Sequence, residues 1–181
     1  MSIVDRRILK SQEAIKAAFI ELMSEKNFDQ ITIQDIADKA NVGRRTIYSH
    51  YLDKYDLLDK LIEEHINELR KLCESSTELS FTDALLIWFE YFESHYSFFS
   101  TMLADKGAPF FRSSFLELVI EEVKNEVDVN EGKNQGLSKD VIIQFFGVAI
   151  VGIVESYFTK GIPEPPQVLA EQVGVLLERN L

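Results

Sequence analysis

Residues 40–54 read ANVGRRTIYSHYLDK, a stretch dense in hydrogen-bond donors. Arg44, Arg45, Thr46, Tyr48, Ser49 and His50 can each donate from the side chain. The planar fork of arginine can bond guanine O6 and N7 together, while threonine, tyrosine and lysine hold phosphates without reading sequence. The chemistry on offer is recognition of duplex DNA. Yet the 181-residue chain has a formal net charge of -11, the wrong sign for most polyanion partners. The distribution of charge resolves this. Up to Lys54, nine Lys/Arg stand against eight Asp/Glu; after it, ten face twenty-two. Net charge governs solubility and association kinetics, whereas a local patch is free to differ from it.

Other chemistries find little support. Cys73 is a lone cysteine, which excludes an internal disulfide and fits a reducing compartment. It stands apart from His50, His65 and His95, and no metal-ligand spacing connects them. There is no phosphate-binding glycine loop, no nucleophile elbow and no His-Glu-x-x-His. The carboxylate pairs Glu63-Glu64 and Glu121-Glu122 read as solvated helix faces. No catalytic residue, metal or cofactor is expected, and the protein reads as a non-enzyme. The N-terminus lacks a signal-peptide pattern. The apolar run VIIQFFGVAIVGIV, Val141 to Val154, is shorter than the roughly 20 residues of a membrane span and suits a buried core helix. A soluble cytoplasmic protein with no membrane partner follows.

The elements that must position these residues are helical. Apolar residues recur at helical spacing, three of the four prolines cluster at 161–166, and period-2 alternation is absent, so the fold class is all-α. A first helix is expected over about 6–23. Thr32 with Asp35 forms a capping box for a second, with Ile31 stapling onto Ile36. Asn41-Val42-Gly43 ends it, and a third helix follows over 44–51. There Ile47 and Tyr51 face the core with Val42, while Arg44 with Tyr48, and Arg45 with Ser49, point outward. Asp53 and Asp56 cap a fourth helix reaching about Cys73. The polar stretch 74–80 looks like a linker and 130–136 a loop. Further helices are expected over 81–97, 99–104, 109–127, 139–159 and 166–180. Two short helices joined by a tight turn, the first capped, are the signature of a helix-turn-helix, here about residues 31–50.

The stretch ITIQDIADKANVGRRTIYSHYLDKYDLL, residues 31–58, closely resembles the DNA-binding domain of the TetR/AcrR family of bacterial transcription regulators. The matched positions are Thr32, Ile36-Ala37, Ala40-Asn41-Val42, Thr46-Ile47-Tyr48, His50-Tyr51, Lys54 and Leu57-Leu58. Three positions depart from the family pattern. Asn41 replaces a turn glycine, Gly43 a helix-capping serine, and Arg45 a small residue. The resemblance implies a three-helix DNA-binding domain over residues 1–66 and a larger helical domain over 67–181. It also implies that Arg44, Arg45, Thr46, Tyr48, Ser49 and His50 contact DNA, with Thr32 and Lys54 holding phosphates.

Proteins of that family are usually homodimers with a small-molecule pocket in the larger domain, so three partners are expected: an inverted-repeat operator in duplex DNA, a second copy and an effector. For the dimer, the last two helices, 139–159 and 166–180, are the candidates. Gly147, Ala149 and Gly152 would admit a close neighbour, and Leu169, Val173, Leu176 and Leu177 form a stripe. For the pocket, Trp88, Tyr91, Phe92, His95 and Tyr96 lie close together on one helix, and Gln144 and Glu155 share a face of another. The aromatics suit a solid core as well as a ligand site. Glu155 needs a partner, solvent or ligand. A helical interaction module, and a DNA-binding dimer without an effector, remain as alternatives.

Overall fold

A computed structural model of the chain describes residues 3–76, 79–104, 109–129, 132–159, 161 and 164–181. Two compact units emerge, Met1–His65 and Ile66–Leu181, and the division falls within one helix. Among the described residues there is no strand.

The first unit contains α1 (Ile3–Glu25), α2 (Ile33–Lys39), α3 (Arg44–Tyr48) and the beginning of α4 (Lys54–Ser75). Its core gathers Ile15 and Phe19 of α1, Ile36 of α2, Ile47 of α3 and Leu57 of α4, all without solvent exposure. The α2 capping box is complete: Asp35 N donates to Thr32 Oγ1 at 3.1 Å, and Thr32 N donates to Asp35 Oδ2 at 2.8 Å. The Thr32 hydroxyl and Lys26 hold the Asp35 carboxyl down at about 2, from an ordinary 3.8. Asn41 then turns the chain with φ +52°, a left-handed conformation asparagine adopts more readily than most residues. Its N–H bonds Asp38 O and that of Val42 bonds Ala37 O, the paired closure of a Schellman motif.

Helix α3 is shorter than the spacing predicts. It ends at Tyr48, with Ser49 as its C-cap and His50 in the following turn. Ser49 Oγ donates to Thr46 O at 2.7 Å, a local bond that competes with helix continuation. Tyr51 still reaches the core, at 4% exposure.

The second unit continues α4 and adds α5 (Phe81–Ser94), α6 (Tyr96–Leu103), α7 (Pro109–Glu126), α8 (Lys139–Thr159) and α9 (Pro166–Glu178). Here α4 runs to Ser75 and Ser80 caps α5, so part of the expected linker is helical; residues 77–78 lie outside the described residues. So do 130–131 of the expected loop. The helix expected over 81–97 breaks at His95, whose φ of -122° and ψ of 30° are not helical. The break turns Phe98 and Phe99 back into an aromatic core with Phe92, Phe111, Phe115 and Phe158. Rings of Phe92 and Phe99 meet edge-on, centroids 4.7 Å apart. α9 lies against α5 so closely that a Cβ at Gly174 would fall 2.6 Å from the Thr82 backbone.

Candidate nucleic-acid interface and cavity

Ile47 is fully buried, so the opposite side of the five-residue α3 is forced outward. Arg44, Arg45, Tyr48 and Ser49 are exposed, while Thr46 and His50 are half-buried. Among the described residues neither guanidinium has a salt-bridge partner, whereas Lys16, Lys26, Lys39 and Lys60 are each paired with a carboxylate. Both forks are left to solvent. Gly43, the α3 N-cap, supplies no side-chain hydrogen bond, as expected where serine is missing.

Two predicted phosphate contacts are placed differently. Lys54 Nζ donates to Phe28 O, Asp29 O and Ile31 O at 2.9, 3.0 and 3.0 Å, and lies 4.7 Å from the Phe28 ring centre. An ammonium has three donors, so Lys54 is a tie between the loop before α2 and the start of α4. Thr32 spends both its N–H and its hydroxyl hydrogen on Asp35. Leu52 follows the α3 turn at 81% exposure, an orientation the sequence does not announce, while Tyr55, 52% exposed, rests its ring on Phe28 and under Lys54. A lone Leu between Tyr51 and Asp53 gives no periodic signal of its orientation.

In the second unit a half-open cavity of about 310 Å³ lies among α4, α5, α7, α8 and α9. Leu85, Trp88, Val119, Val123, Ile150 and Leu177 form much of its apolar wall. Its charged lining is Glu122, Glu126 and Glu178, and its thiol is Cys73. Burial raises the Glu122 carboxyl, against the opposing effects of the Cys73 thiol and Arg70. Burial and the neighbouring Glu122 push the Cys73 thiol up to about 12. Arg70, the nearby cation, is bonded to Glu121 at 2.8 Å.

A family model described as "Bacterial regulatory proteins, tetR family" matches residues 15–61, and one described as "Transcriptional regulator C-terminal region" matches residues 79–179. The chain belongs to the TetR family. It is a DNA-binding transcriptional regulator, and regulators of this family function as dimers. The HTH-type regulator YxbF of Bacillus subtilis is 35% identical over 85 residues, 45% of this chain and 22% of that relative. The chain thus matches only about a fifth of YxbF's length. The dhaKLM operon transcriptional activator DhaS of Lactococcus lactis is 23% identical over 158 residues, 86% of this chain and 83% of that one. A crystal structure of a TetR regulator from Streptococcus agalactiae superposes with a TM-score of 0.70 at 26% identity, covering 97% of each chain.

Within this TetR-family fold, the seven expected ligand residues do not converge. Of them only Trp88 lines the cavity. Phe92 is sealed in the aromatic core, Tyr91 is half-buried, and His95 and Tyr96 are exposed. Gln144 is exposed on α8, and Glu155 accepts from Arg112 Nε at 2.6 Å, an ion pair. Of the three carboxylates that do line the cavity, Glu126 and Glu178 are exposed and Glu122, expected on a solvated face, is half-buried. Val119, Glu122, Val123 and Glu126 follow i, i+3, i+4, i+7 spacing, which sets two acids on an apolar stripe.

The candidate dimer helices divide likewise. Gly147 packs inward, where a Cβ would meet Ile120 Cγ1 at 3.0 Å. In α9, Leu169, Val173 and Leu177 are buried within the chain, leaving Leu176 at 53% exposure. What stands open is one face of α8: Val141 and Phe145, each at 67%, with Val148, Ala149 and Gly152. By length and composition alone α8, 21 residues long, could cross a membrane. The short run expected to exclude this is only its central part.

Proposed function

We propose that the chain is a homodimeric, effector-responsive repressor in the cytoplasm that occupies an inverted-repeat operator through residues 44–50. The observation that carries this reading is the pair of unpartnered guanidiniums, Arg44 and Arg45, exposed beside Tyr48 on a helix anchored by fully buried Ile47. A recognition helix reads base edges with residues near its N-terminus, and both arginines are there. The Ser49 and Thr46 hydroxyls and the His50 ring would position the backbone, and residues 1–66 would be the DNA-binding domain. Thr32 and Lys54 support this surface from behind rather than touching phosphate.

The open α8 face supports pairing with a second copy. Its apolar residues recur at 141, 145, 148, 149 and 152, the stripe of a helix that packs against another helix. Leu176 of α9 would extend it. Two recognition helices in a two-fold dimer would lie about one DNA turn, roughly 34–36 Å, apart. The cavity in 67–181 is the effector site in this reading, and a ligand that binds one spacing of the dimer better than another shifts the population toward it. Its volume, at the small end of the roughly 300–1,000 Å³ of ligand sites, speaks against the effector-less alternative. A second reading, activation, is favoured by the similarity to an operon activator across most of both chains.

The test is selection of bound duplexes from random DNA by the wild type and by Arg44→Ala/Arg45→Ala. An enriched inverted repeat that the double variant fails to enrich supports the proposal. No enrichment at low salt would move a protein-interaction role to first place. A reporter driven from the selected site then separates repression from activation.

A further inference from the structure

We propose that the cavity takes a cationic, largely apolar small molecule, an amine or quaternary ammonium, held by Glu122 with Glu126 and Glu178 at the lining and by Trp88 on the wall. This rests on the reading of the cavity as an effector site.

Three carboxylates line the cavity and, among the described residues, no Lys, Arg or His does. Arg70 influences Glu122 from nearby, but its guanidinium is engaged with Glu121. An anion would enter past the exposed Glu126 and Glu178 toward a half-buried Glu122, like charge at every lining carboxylate. A cation would meet a half-buried carboxylate whose ionised form is short of solvent, which is where an ion pair gains most by forming.

Ser76 Oγ already donates to Leu72 O at 2.7 Å, and Ser80 Oγ donates to Asp83 Oδ2 at 2.8 Å. Both hydroxyl hydrogens are used, the Trp88 indole N–H is turned to the Cys73 sulfur, and the thiol, a weak donor, is turned to Glu122, so the lining is rich in acceptors and poor in free donors for a ligand. A guest that brings hydrogen-bond donors or positive charge fits this; a carboxylate or phosphate does not. Trp88 lines the cavity with Leu85, Val119, Val123 and Ile150, its ring backed by Phe92 and Phe115, and tryptophan is the best aromatic partner for a cation within about 6 Å of its ring. The apolar wall then demands a hydrocarbon body on the same molecule.

Trp88 is also the chain's single tryptophan, so its fluorescence reports occupancy directly. The experiment titrates the full-length protein with three probes of one skeleton: phenylpropyltrimethylammonium, phenylpropanol and phenylpropionate. Thermal shift is measured in parallel. The expected order is cation over alcohol by about tenfold or more, with no saturable binding of the acid. Glu122→Gln, which keeps shape and folding, is expected to weaken the cation about tenfold and leave the alcohol unchanged. Glu171→Gln removes an equal charge from exposed α9 away from the cavity and should change neither, which controls for the acidity of the whole chain. Equal binding of the cation and the alcohol, or indifference of the cation to Glu122→Gln, overturns the cationic assignment while leaving the cavity as a ligand site. Failure of all three probes in both readouts would overturn the effector site itself.

Discussion

Lys54 and Asp35 each tie down the helix-turn-helix by bonds within the chain. The Lys54 ammonium bonds three carbonyls at once, fixing the loop that delivers α2. Lys54→Met should therefore lower the stability of the free protein by about 2 kcal/mol, the scale of hydrogen bonds to a charged group. Denaturant unfolding measures this. A phosphate contact would instead leave stability intact and reduce the salt slope of DNA binding by about 1 per site lost. Asp35 adds a pH dependence. Its folded value of about 2 lies below the ordinary 3.8, so the ionised carboxylate contributes stability above pH 3.8. That contribution drains away as pH falls toward 2. Wild type should melt higher than Asp35→Asn at pH 7, and the two melting temperatures should converge near pH 2. A gap that persists at pH 2 would show that the charge is not what stabilises the cap.

At the scale of elements, α8 presents two glycines with opposite surroundings. Alanine at 147 would press on Ile120 of α7, while alanine at 152 meets nothing within 4 Å in its own chain. Helix propensity alone favours Gly→Ala by about 1 kcal/mol. Gly152→Ala should thus stabilise an isolated subunit and yet weaken the dimer, if a partner helix lies there. Gly147→Ala should forfeit its propensity gain to overpacking, on the order of 1–3 kcal/mol. Thermal unfolding and sedimentation equilibrium on both variants separate the two effects. The same helices show what was legible in the sequence. The capping box at Thr32, the left-handed turn at Asn41 and the outward setting of Arg44 and Arg45 depend on residues within one or two turns of each other, and all were readable. The faces of α8 and α9 were not, because periodicity reports that a face is apolar without saying what covers it. Leu169 and Val173 are buried within the chain, while Phe145 is 67% exposed and its ring meets only that of its neighbour Phe146 among the described ring contacts. The break at His95 was hidden for a related reason: the aromatic cluster that rewards it includes Phe111 and Phe158, distant in sequence. The same distance concealed the cavity, whose walls come from five helices, and Glu122 looked solvated because Glu121 beside it is.

For the whole molecule, charge and the open α8 face together make salt act in two directions. The residues after Lys54 carry an excess of twelve acids, so two subunits repel unless screened, and raising salt through the range where the screening length falls from about 30 to 10 Å should tighten the dimer. The same salt should weaken the operator complex, because each phosphate neutralised releases counterions. Dimerisation itself is tested by Phe145→Asp/Val148→Asp. Both side chains are largely exposed in the single chain, at 67% and 47%, so the variant should keep its helical circular dichroism and its cooperative melt. It should sediment as a monomer. Its affinity for an inverted repeat should fall by at least about a hundredfold, since the second half-site no longer benefits from effective concentration, whereas binding to an isolated half-site should be unchanged. A variant that remains dimeric would place the interface on another face. One that fails to fold would show α8's outer side to be part of the subunit core, against its exposure here. Only the combination of folded, monomeric and half-site-competent assigns the α8 face to the partner and leaves DNA reading to residues 44–50.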